Sequence, residues 1–391
     1  MFVELHVIQN FVPACLNRDD TNTPKDCEFG GYRRARISSQ CLKRAIRTSE
    51  VFRDTAGQIG HRTKYLGRLL TDRLRGEGRT EDDINLVLDA FALQYAGGFD
   101  KGDERTKVLL YIGDDELDDI AHTLLSRWDV LVQEARKAAE SSQTKKDDKK
   151  KATPQMAGVV KSLIEQHRNR VRSADIALFG RMLADSPEFN IDAACQVAHA
   201  ISTHRVSMEM DFYTAVDDLQ TQGETGAGMM GFISYDSACF YRYARLDWDQ
   251  LCTNLNQDVK LAAQATRAFL KGAILAVPAA RQNSFAAHNP PSFVLAVVRS
   301  DGMGWNLANA FETPVRAGRE DGLVRASIKS LDSYFGRLRD AFGSDGIMAT
   351  PVLALEPDVP IAQVGEHNQA KNLQELVERI MDALLKGREM K

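Results

Sequence analysis

Residues 2 to 8 alternate between apolar and polar side chains. In an extended FVELHVI segment the valines and leucine fall on one side and Glu4 and His6 on the other, which is the period of a half-buried β-strand. The stretch that follows, residues 10 to 37, is rich in Asn, Asp, Thr, Pro and Gly. This composition predicts a long ordered loop, and loops of such length usually carry function.

A helix is expected to begin at Ser38 or Ser39, because a serine side chain accepts a hydrogen bond from a free amide of the first helical turn. Leu42, Ala45 and Ile46 would then form its apolar stripe. The opposite face carries Gln40, Lys43, Arg44 and Arg47.

The rest of the chain alternates between helical and strand-like periods. Residues 57 to 193 are helical almost throughout, which predicts an all-helical insertion, and a helix is expected around 193 to 204. RVSMEMDFYTAV and FISYDSACFYRYARLD, on either side of a glycine-rich turn at 223 to 231, predict a long β-hairpin. Helices are then expected near 249 to 276, near 326 to 342 and from 371, with a strand at 293 to 299. This order predicts an α+β fold with a split βαβ or ferredoxin-like sheet.

Composition limits the classes of protein to which the chain can belong. Its 391 residues exceed what one hydrophobic core usually holds, so we expect a central domain with large insertions, or two domains. No stretch approaches the roughly 18 apolar residues of a membrane helix and no basic leader precedes the first strand, which predicts a soluble, cytoplasmic protein. Six cysteines without a CxxC pair favour reduced thiols over a disulfide framework or a zinc site.

Motifs for catalysis or metal binding are weak. The glycine-rich turn lacks the Lys-Ser/Thr of a P-loop, and GMMGFISY at 228 to 235 lacks the basic residue and the first aromatic of the RNA-recognition signature. The eight histidines show no metal-ligand spacing, and the adjacent Asp19 and Asp20 fit a turn better than a Mg²⁺ site. The sequence therefore predicts no catalytic residue, no metal site and no cofactor.

Positive charge is concentrated in one segment of a chain whose net charge is −4. GGYRRARISSQCLKRAIR, residues 30 to 47, has six arginines and lysines in eighteen residues and no acidic side chain. The amino-terminal end of the predicted helix adds free amides and the positive end of the helix dipole. A local patch of this kind suits the phosphates of a nucleic acid, whereas a merely solvated helix face is the alternative.

Several motifs, in order along the chain, closely resemble those of one protein family. They are CLNRDD (15 to 20), KD (25 and 26), FGG (29 to 31), RRARISSQCLKRAIR (33 to 47), ADIALFGRM (174 to 182), AHAISTHRV (198 to 206), DFYTAVDDL (211 to 219), CFYRYA (239 to 244), VPAARQNSFAAHNPP (277 to 291) and ANAFETPV (308 to 315). The family is that of the backbone subunit of the type I-E CRISPR Cascade complex, the CasC family. The resemblance covers residues 1 to about 335, and the region from about 50 to 172 is matched more by position than by motif.

The resemblance implies an α+β fold shaped like a right hand. An RNA-recognition-type (ferredoxin-like) palm would comprise residues 1–56 and 237–391, with a large helical finger insertion at 57–193 and a β-hairpin thumb at 203–236. Several copies, about six, would line the spacer of one CRISPR RNA. Each thumb would overlie the neighbouring copy and displace one guide nucleotide, and the remaining nucleotides would pair with target DNA.

The resemblance also implies which residues bind RNA. The palm contacts to guide phosphates would be Arg18, Lys25, Ser38, Gln40, Lys43, Arg44 and Arg47, with Arg34 and Arg36 as electrostatic support. Met182 would wedge at the displaced nucleotide, although an apolar residue on an apolar helix could equally belong to the core. Phe212, Tyr213 and Thr214 would belong to the thumb, and alternation along a strand predicts that one aromatic ring faces the sheet interior and the other faces RNA or a neighbouring copy.

For three further features, the sequence leaves two interpretations open. Arg316 and Arg319 would contact target-strand phosphates or simply be solvated. Tyr32 stands where the family pattern has a basic residue, which leaves a DNA contact at that position open. The lysine-rich loop at 145 to 151 is either a solvated helix connection or a contact with nucleic acid.

Binding rather than catalysis is the function that the resemblance implies. The partners would be CRISPR RNA, target DNA, further copies of the chain, the large, small, 5′-handle-binding and guide-processing Cascade subunits, and a recruited helicase-nuclease that cuts the DNA. Base pairing would supply the specificity while the filament pre-orders the guide. Two alternatives stay open: a metal-dependent endoribonuclease that uses Asp26 in the loop after the first strand to cut target RNA, and a general RNA-coating protein.

Overall fold

A computed structural model describes residues 1–76, 78–100, 104–144, 154–167, 171–182, 190–219, 229–318, 321–356, 358 and 361–389. The chain has an α+β fold with a large antiparallel sheet. It divides into two compact units. The sheet unit comprises Met1–Thr55, Cys195–Asp249 and Thr266–Lys391, and the helical unit comprises Ala56–Ala194 and Gln250–Ala265.

The elements follow one another as a mixture of short and long segments. The strands are β1 (Phe2–Asn10), β2 (Asp26–Phe29), β3 (Tyr32–Ile37), β4 (His61–Thr63), β5 (Leu110–Ile112), β6 (Cys195–Val197), β7 (Ala200–Ser202), β8 (Glu209–Ala215), β9 (Met229–Tyr235), β10 (Cys239–Asp247), β11 (Phe293–Arg299), β12 (Ile347–Ala349) and β13 (Val352–Ala354). The helices are α1 (Ser39–Thr48), α2 (Glu50–Ala56), α3 (Leu66–Leu74), α4 (Glu81–Ala96), α5 (Asp114–Ser126), α6 (Trp128–Thr144), α7 (Pro154–His167), α8 (Ala174–Phe179), α9 (Trp248–Asn254), α10 (Val259–Leu275), α11 (Gln282–Phe285), α12 (Leu323–Phe342) and α13 (Leu373–Glu389).

Strand β1 lies in the middle of the large sheet, whose order is β12-β11-β1-β10-β7-β3-β2. The prediction of a strand is confirmed, but the prediction that it is half-buried is wrong, because both Glu4 and His6 are buried. Glu4 accepts hydrogen bonds from Arg299 Nε at 2.9 Å and from the Tyr243 hydroxyl at 2.8 Å. Partners on neighbouring strands satisfy the polar side chains, so the alternation marks two buried faces instead of one.

The second half of the predicted loop at 10 to 37 forms a β-hairpin, so the prediction of a loop is wrong for that half. Strands β2 and β3 pair antiparallel across Gly30 and Gly31, whose φ angles are +61° and +77°. Two successive positive φ angles suit a tight hairpin turn, and glycine adopts them without strain. A Cβ at Gly30 would also collide with the carbonyl oxygen of Glu312. The glycine pair is therefore a turn, and the arginines that follow it lie on a strand.

Helix α1 begins as the sequence predicted. Ser38 is its N-cap, and the Ser38 hydroxyl accepts a hydrogen bond from the amide of Cys41 at 3.3 Å. Leu42 and Ile46 are buried, and the basic residues of the helix lie on the side away from them. The cap thus satisfies one of the free amides of the first helical turn.

Two segments in the middle of the sequence differ from their predictions. The helix expected around 193 to 204 is instead the short strands β6 and β7, which pair with β10. The predicted hairpin is present as β8 and β9, but its second arm ends at Tyr235, and β10 is a separate strand that pairs with β1 along its whole length. Hydrophobic alternation continues through both strands, so the period alone did not reveal the break between them.

The predicted elements of the carboxyl-terminal half are confirmed. They are α9 and α10 at the predicted helical stretch, strand β11, and helices α12 and α13. Strand β11 pairs with β1 and is buried along its length, as its continuous apolar sequence requires. Strands β12 and β13, which the sequence did not indicate, pair with β11.

The helical unit has its own hydrophobic core. Apolar residues of α3, α4, α5, α6 and α7, among them Leu70, Phe91 and Leu117, pack together in it. The described residues of 57–193 are mainly helical, but the prediction of an all-helical insertion is wrong, because β4 and β5 form a small two-stranded sheet. Among the residues that the structure describes, no helix has the length and apolar content needed to cross a bilayer.

Candidate nucleic-acid interface

The loop after β1 is fastened to the amino-terminal end of α1. The Asn17 side-chain oxygen accepts a hydrogen bond from the Ser38 amide at 2.8 Å, and the Asn17 carbonyl accepts one from the Lys25 amide at 2.8 Å. The Lys25 carbonyl in turn accepts from the Arg36 amide at 2.9 Å. Three segments that are distant in sequence thus present their basic residues from one fixed backbone arrangement.

Asp19 shapes the turn that carries Arg18. Its carboxylate accepts hydrogen bonds from the hydroxyl of Thr23 at 2.6 Å and from the amides of Thr21 and Thr23, both at 2.9 Å. These bonds, that of the Thr23 side chain first, lower the pKa of Asp19 to about 2. Arg18 is exposed, and its guanidinium donates to the Asn22 side chain at 3.0 Å. The carboxylate therefore serves the turn, as the sequence suggested for this aspartate pair.

We call the exposed and half-buried polar side chains of these segments the basic surface; its members are Arg18, Lys25, Arg36, Gln40, Lys43, Arg44 and Arg47. Within the part of the chain that the structure describes, Lys25, Lys43 and Arg44 make no ion pair with a carboxylate. Burial lowers the pKa of His199, and the nearby charges of Arg36 and Lys25 lower it further. The basic surface is thus a region of positive potential without acidic compensation for these three side chains.

Arg34 and Ser38 occupy interior positions beside this surface. Arg34 is fully buried, and its guanidinium donates hydrogen bonds to the carbonyls of Ser202 at 3.0 Å, Phe311 at 2.7 Å and Glu312 at 3.1 Å. It can therefore act on a phosphate only through its charge. The Ser38 hydroxyl accepts from the Cys41 amide and the Ser38 amide donates to Asn17, so both of these amides already have partners.

Asp26, the residue of the nuclease alternative, is the first residue of β2 and does not lie in a free loop. Its carboxylate accepts a hydrogen bond from Arg33 Nε in an ion pair. Among the described residues, no cluster of three or more His, Cys, Asp or Glu side chains is arranged to hold a metal ion.

Met182, in the helical unit, is 85% exposed. The alternative that it belongs to the core is wrong, because helix α8 ends at Phe179 and Met182 lies beyond that end. The physical reason is the glycine, whose φ of +77° ends the helix before the apolar stripe reaches Met182.

Strands β8 and β9 form a separate two-stranded sheet. Phe212 pairs with Phe232, and Tyr213 pairs with Gly231, so the two aromatic rings of β8 lie on opposite faces. Every residue of β8 is exposed, which corrects the prediction that one ring faces an interior. We call one side the apolar hairpin face; its members are Met210, Phe212, Thr214, Met230 and Phe232.

Arg316 lines a groove of about 660 Å³ in the sheet unit, together with Tyr32 and Arg205. Both arginines are exposed. Tyr32 and these two arginines line the same groove, a relationship that the sequence did not indicate. Arg319 and the lysine-rich loop at 145 to 151 lie outside the described residues, as do residues 223–228 of the glycine-rich turn.

Three supporting residues were not singled out from the sequence. They are Asn17, His199 and Arg205. All three lie inside motifs that the resemblance used, yet a polar residue in a motif does not by itself reveal what its side chain contacts. Only the pairing of β7 with β3 brings His199 to the basic surface.

Similarity to known proteins extends over nearly the whole chain. The sequence matches the model of the CT1975-like protein family over residues 3–379. The chain belongs to this family. No curated protein matches the sequence.

Two solved structures share the fold of this CT1975-like chain. A chain described as "CRISPR RNA-guided surveillance complex, pre-nicking" superimposes with a TM-score of 0.84 at 29% sequence identity, covering 98% of this chain and 100% of that chain. A chain described as "CRISPR RNA-guided surveillance complex" does so with a TM-score of 0.72 at 25% identity, again covering 98% and 100%. The similarity therefore includes both units.

Proposed function

We propose that this chain is the CRISPR RNA-binding backbone subunit of a type I-E Cascade surveillance complex. The observation that carries the proposal is the basic surface, which surrounds the capped start of α1 and in which Lys25, Lys43 and Arg44 make no ion pair with a carboxylate of the described residues. Phosphates are the natural ligands of such an arrangement, and phosphate contacts do not depend on base sequence. A guide whose spacer varies needs this kind of contact. Similarity to chains of CRISPR RNA-guided surveillance complexes supports the same function.

Several copies, about six, are proposed to form a helical filament along the guide spacer. The apolar hairpin face supports this, because apolar side chains exposed together are typical of a surface that another molecule covers. In this arrangement the β8–β9 hairpin would be the thumb, the rest of the sheet unit would be the RNA-recognition-type palm, and the helical unit would be the finger. Phe212 and Thr214 would face the neighbouring copy, and Tyr213 would lie on the other side of the thumb.

The filament would present the guide for pairing with target DNA in antiviral defence. Arg316 and Arg319 are the proposed contacts to the target strand. Further partners would be the large, small, 5′-handle-binding and guide-processing subunits and a recruited helicase-nuclease. The subunit itself would cut nothing and would act in the cytoplasm.

Against the endoribonuclease alternative stands the ion pair of Asp26 with Arg33, with which a metal ion would have to compete for this carboxylate. Cleavage of matched RNA in Mg²⁺ that is lost in Asp26→Ala would restore it. The general RNA-coating alternative differs from our proposal in the RNA that is bound.

Copurification tests the proposed function directly. The chain is expressed with its neighbouring genes, the particle is weighed by native mass spectrometry, and the bound RNA is sequenced. We expect repeat-derived RNA of uniform length with several copies of this subunit. Heterogeneous RNA, or a chain that remains a bare monomer, would contradict the proposal.

A further inference from the structure

In the helical unit, the residue that precedes Met182 in the sequence belongs to a buried ion pair. Arg181 Nη1 donates to the two carboxylate oxygens of Glu116 at 2.8 and 2.9 Å, and the two side chains are only 2% and 3% exposed. The same nitrogen donates to the carbonyl of Tyr111 at 3.1 Å. Met182, the next residue after Arg181, is almost fully exposed. A buried anchor and an exposed apolar side chain are thus adjacent in the chain.

Hydrogen bonds also hold the backbone at Arg181. Its amide donates to the carbonyl of Ile191 at 3.0 Å, and its carbonyl accepts from the amide of Ile191 at 2.9 Å. A Cβ at Gly180 would lie 2.8 Å from that same Ile191 carbonyl oxygen, so the close approach of the two segments requires glycine there. The backbone position that precedes Met182 is therefore fixed.

Glu116 is in turn held by the start of α5. One of its carboxylate oxygens accepts a hydrogen bond from the Gly113 amide at 2.9 Å, which satisfies a free donor at the amino-terminal end of the helix. Burying two charges is costly, and replacing such a pair by apolar residues is often neutral or stabilising. The effect of the pair that matters here is therefore not its contribution to stability but the fixed position that it gives to Arg181.

We propose that Glu116 is a positioning residue for Met182. Through Arg181 it holds the backbone so that the Met182 side chain projects from the helical unit and displaces a guide nucleotide from the stack. This inference rests on the proposed function, because it assigns a role within guide binding. Without Glu116 the Met182 side chain is still present, but the direction in which it projects is no longer fixed.

The test uses the assembled complex and guides in which 2-aminopurine replaces one spacer base at a time, since this base becomes brighter when it is unstacked. The wild-type complex should show bright positions at regular intervals. Met182→Ala should dim these positions. Glu116→Gln and Glu116→Ala should dim the same positions by about threefold to tenfold, because restacking of the displaced base then becomes favourable. Guide affinity should change by less than about threefold, because the basic surface supplies the phosphate contacts.

Asp118→Asn is the matched control, since Asp118 lies on the same helix in an ion pair with Arg73 but is 67% exposed. It should leave the bright positions unchanged. Bright positions that persist in Glu116→Gln while Met182→Ala removes them would overturn this inference alone. A wild-type complex without regularly spaced bright positions would instead contradict the proposed guide filament itself.

Glu116→Gln keeps the volume of the side chain and an oxygen for the Gly113 amide, so it tests the proposal even if Glu116→Ala does not fold. The double variant Glu116→Gln with Met182→Ala gives a second measurement. If Glu116 acts through Met182, the double variant should be no dimmer than Met182→Ala alone. Additive losses would show that Glu116 affects the guide by another route and would refute the inference.

Discussion

The side-chain oxygen of Asn17 accepts the backbone amide of Ser38 at 2.8 Å, across twenty-one positions of sequence. This bond joins the loop that carries Arg18 and Lys25 to the start of helix α1. Asn17 carries no charge, yet it determines where two of the charges of the basic surface lie. The geometry of the surface can therefore be tested separately from its charge.

Asn17→Ala should weaken guide binding without altering its dependence on salt. One lost hydrogen bond of about 1 kcal/mol corresponds to a fall in affinity of roughly fivefold, and no phosphate contact is removed outright. Titration of labelled guide RNA at several salt concentrations measures both quantities. Asn10→Ala, an exposed asparagine at the end of β1, is the control. A change in the salt dependence of binding would argue against a purely geometric role for Asn17.

Lys43→Ala combined with Arg44→Ala should lower guide affinity by about tenfold or more and also reduce the salt dependence. Each phosphate contact with single-stranded RNA contributes roughly 0.7 to the slope of log affinity against log salt, so the slope should fall by about 1.4. The control is Lys329→Ala with Arg337→Ala, two exposed basic residues of α12. The loss should be equal for unrelated spacers; a loss that depends on the spacer would refute phosphate contacts.

Met230→Ser with Phe232→Ser should reduce the number of copies bound to each guide. The two side chains are 66% and 68% exposed, so their replacement should leave the folded chain intact while removing apolar surface that a neighbouring copy would cover. Native mass spectrometry of the assembled particle counts the copies. Met303→Ser with Phe342→Ser is a matched control, because both side chains are 70% exposed and lie elsewhere. An equal loss of copies in the control would contradict a specific role for the hairpin.

Asp236 should make the stability of the RNA-free chain depend on pH. Burial, and secondarily the charge of Asp26, raises the pKa of Asp236 to about 7. An unfolded aspartate has a pKa of about 3.9, so ionisation destabilises the folded chain increasingly between about pH 4 and pH 7. Asp236→Asn should therefore raise the Tm at pH 8 clearly more than at pH 5.

Differential scanning fluorimetry of the chain without RNA measures this difference. Asp20→Asn, which changes an exposed aspartate, serves as the control. The same stabilisation by Asp236→Asn at both pH values would mean that the benefit comes from hydrogen bonding and not from removal of a buried charge.

Most elements could be predicted because their signals are local. The serine cap of α1 and the apolar run of β11 each depend on residues adjacent in sequence. The helix expected around 193 to 204 failed because β6 and β7 are short and owe their conformation to pairing with β10. Long-range pairing overrides local preference in such short segments.

The sequence by itself determined where the positive charge is concentrated, where α1 begins and which family the motifs resemble. Only the tertiary structure decided which of those charged side chains reach solvent. Arg34 and Arg36 are two positions apart, yet Arg34 is buried among backbone carbonyls and Arg36 is half-buried at the surface. Whether each side chain is buried depends on which residues of the sheet and of the segment after residue 306 cover it. Spacing along one strand carries no information about these distant contacts.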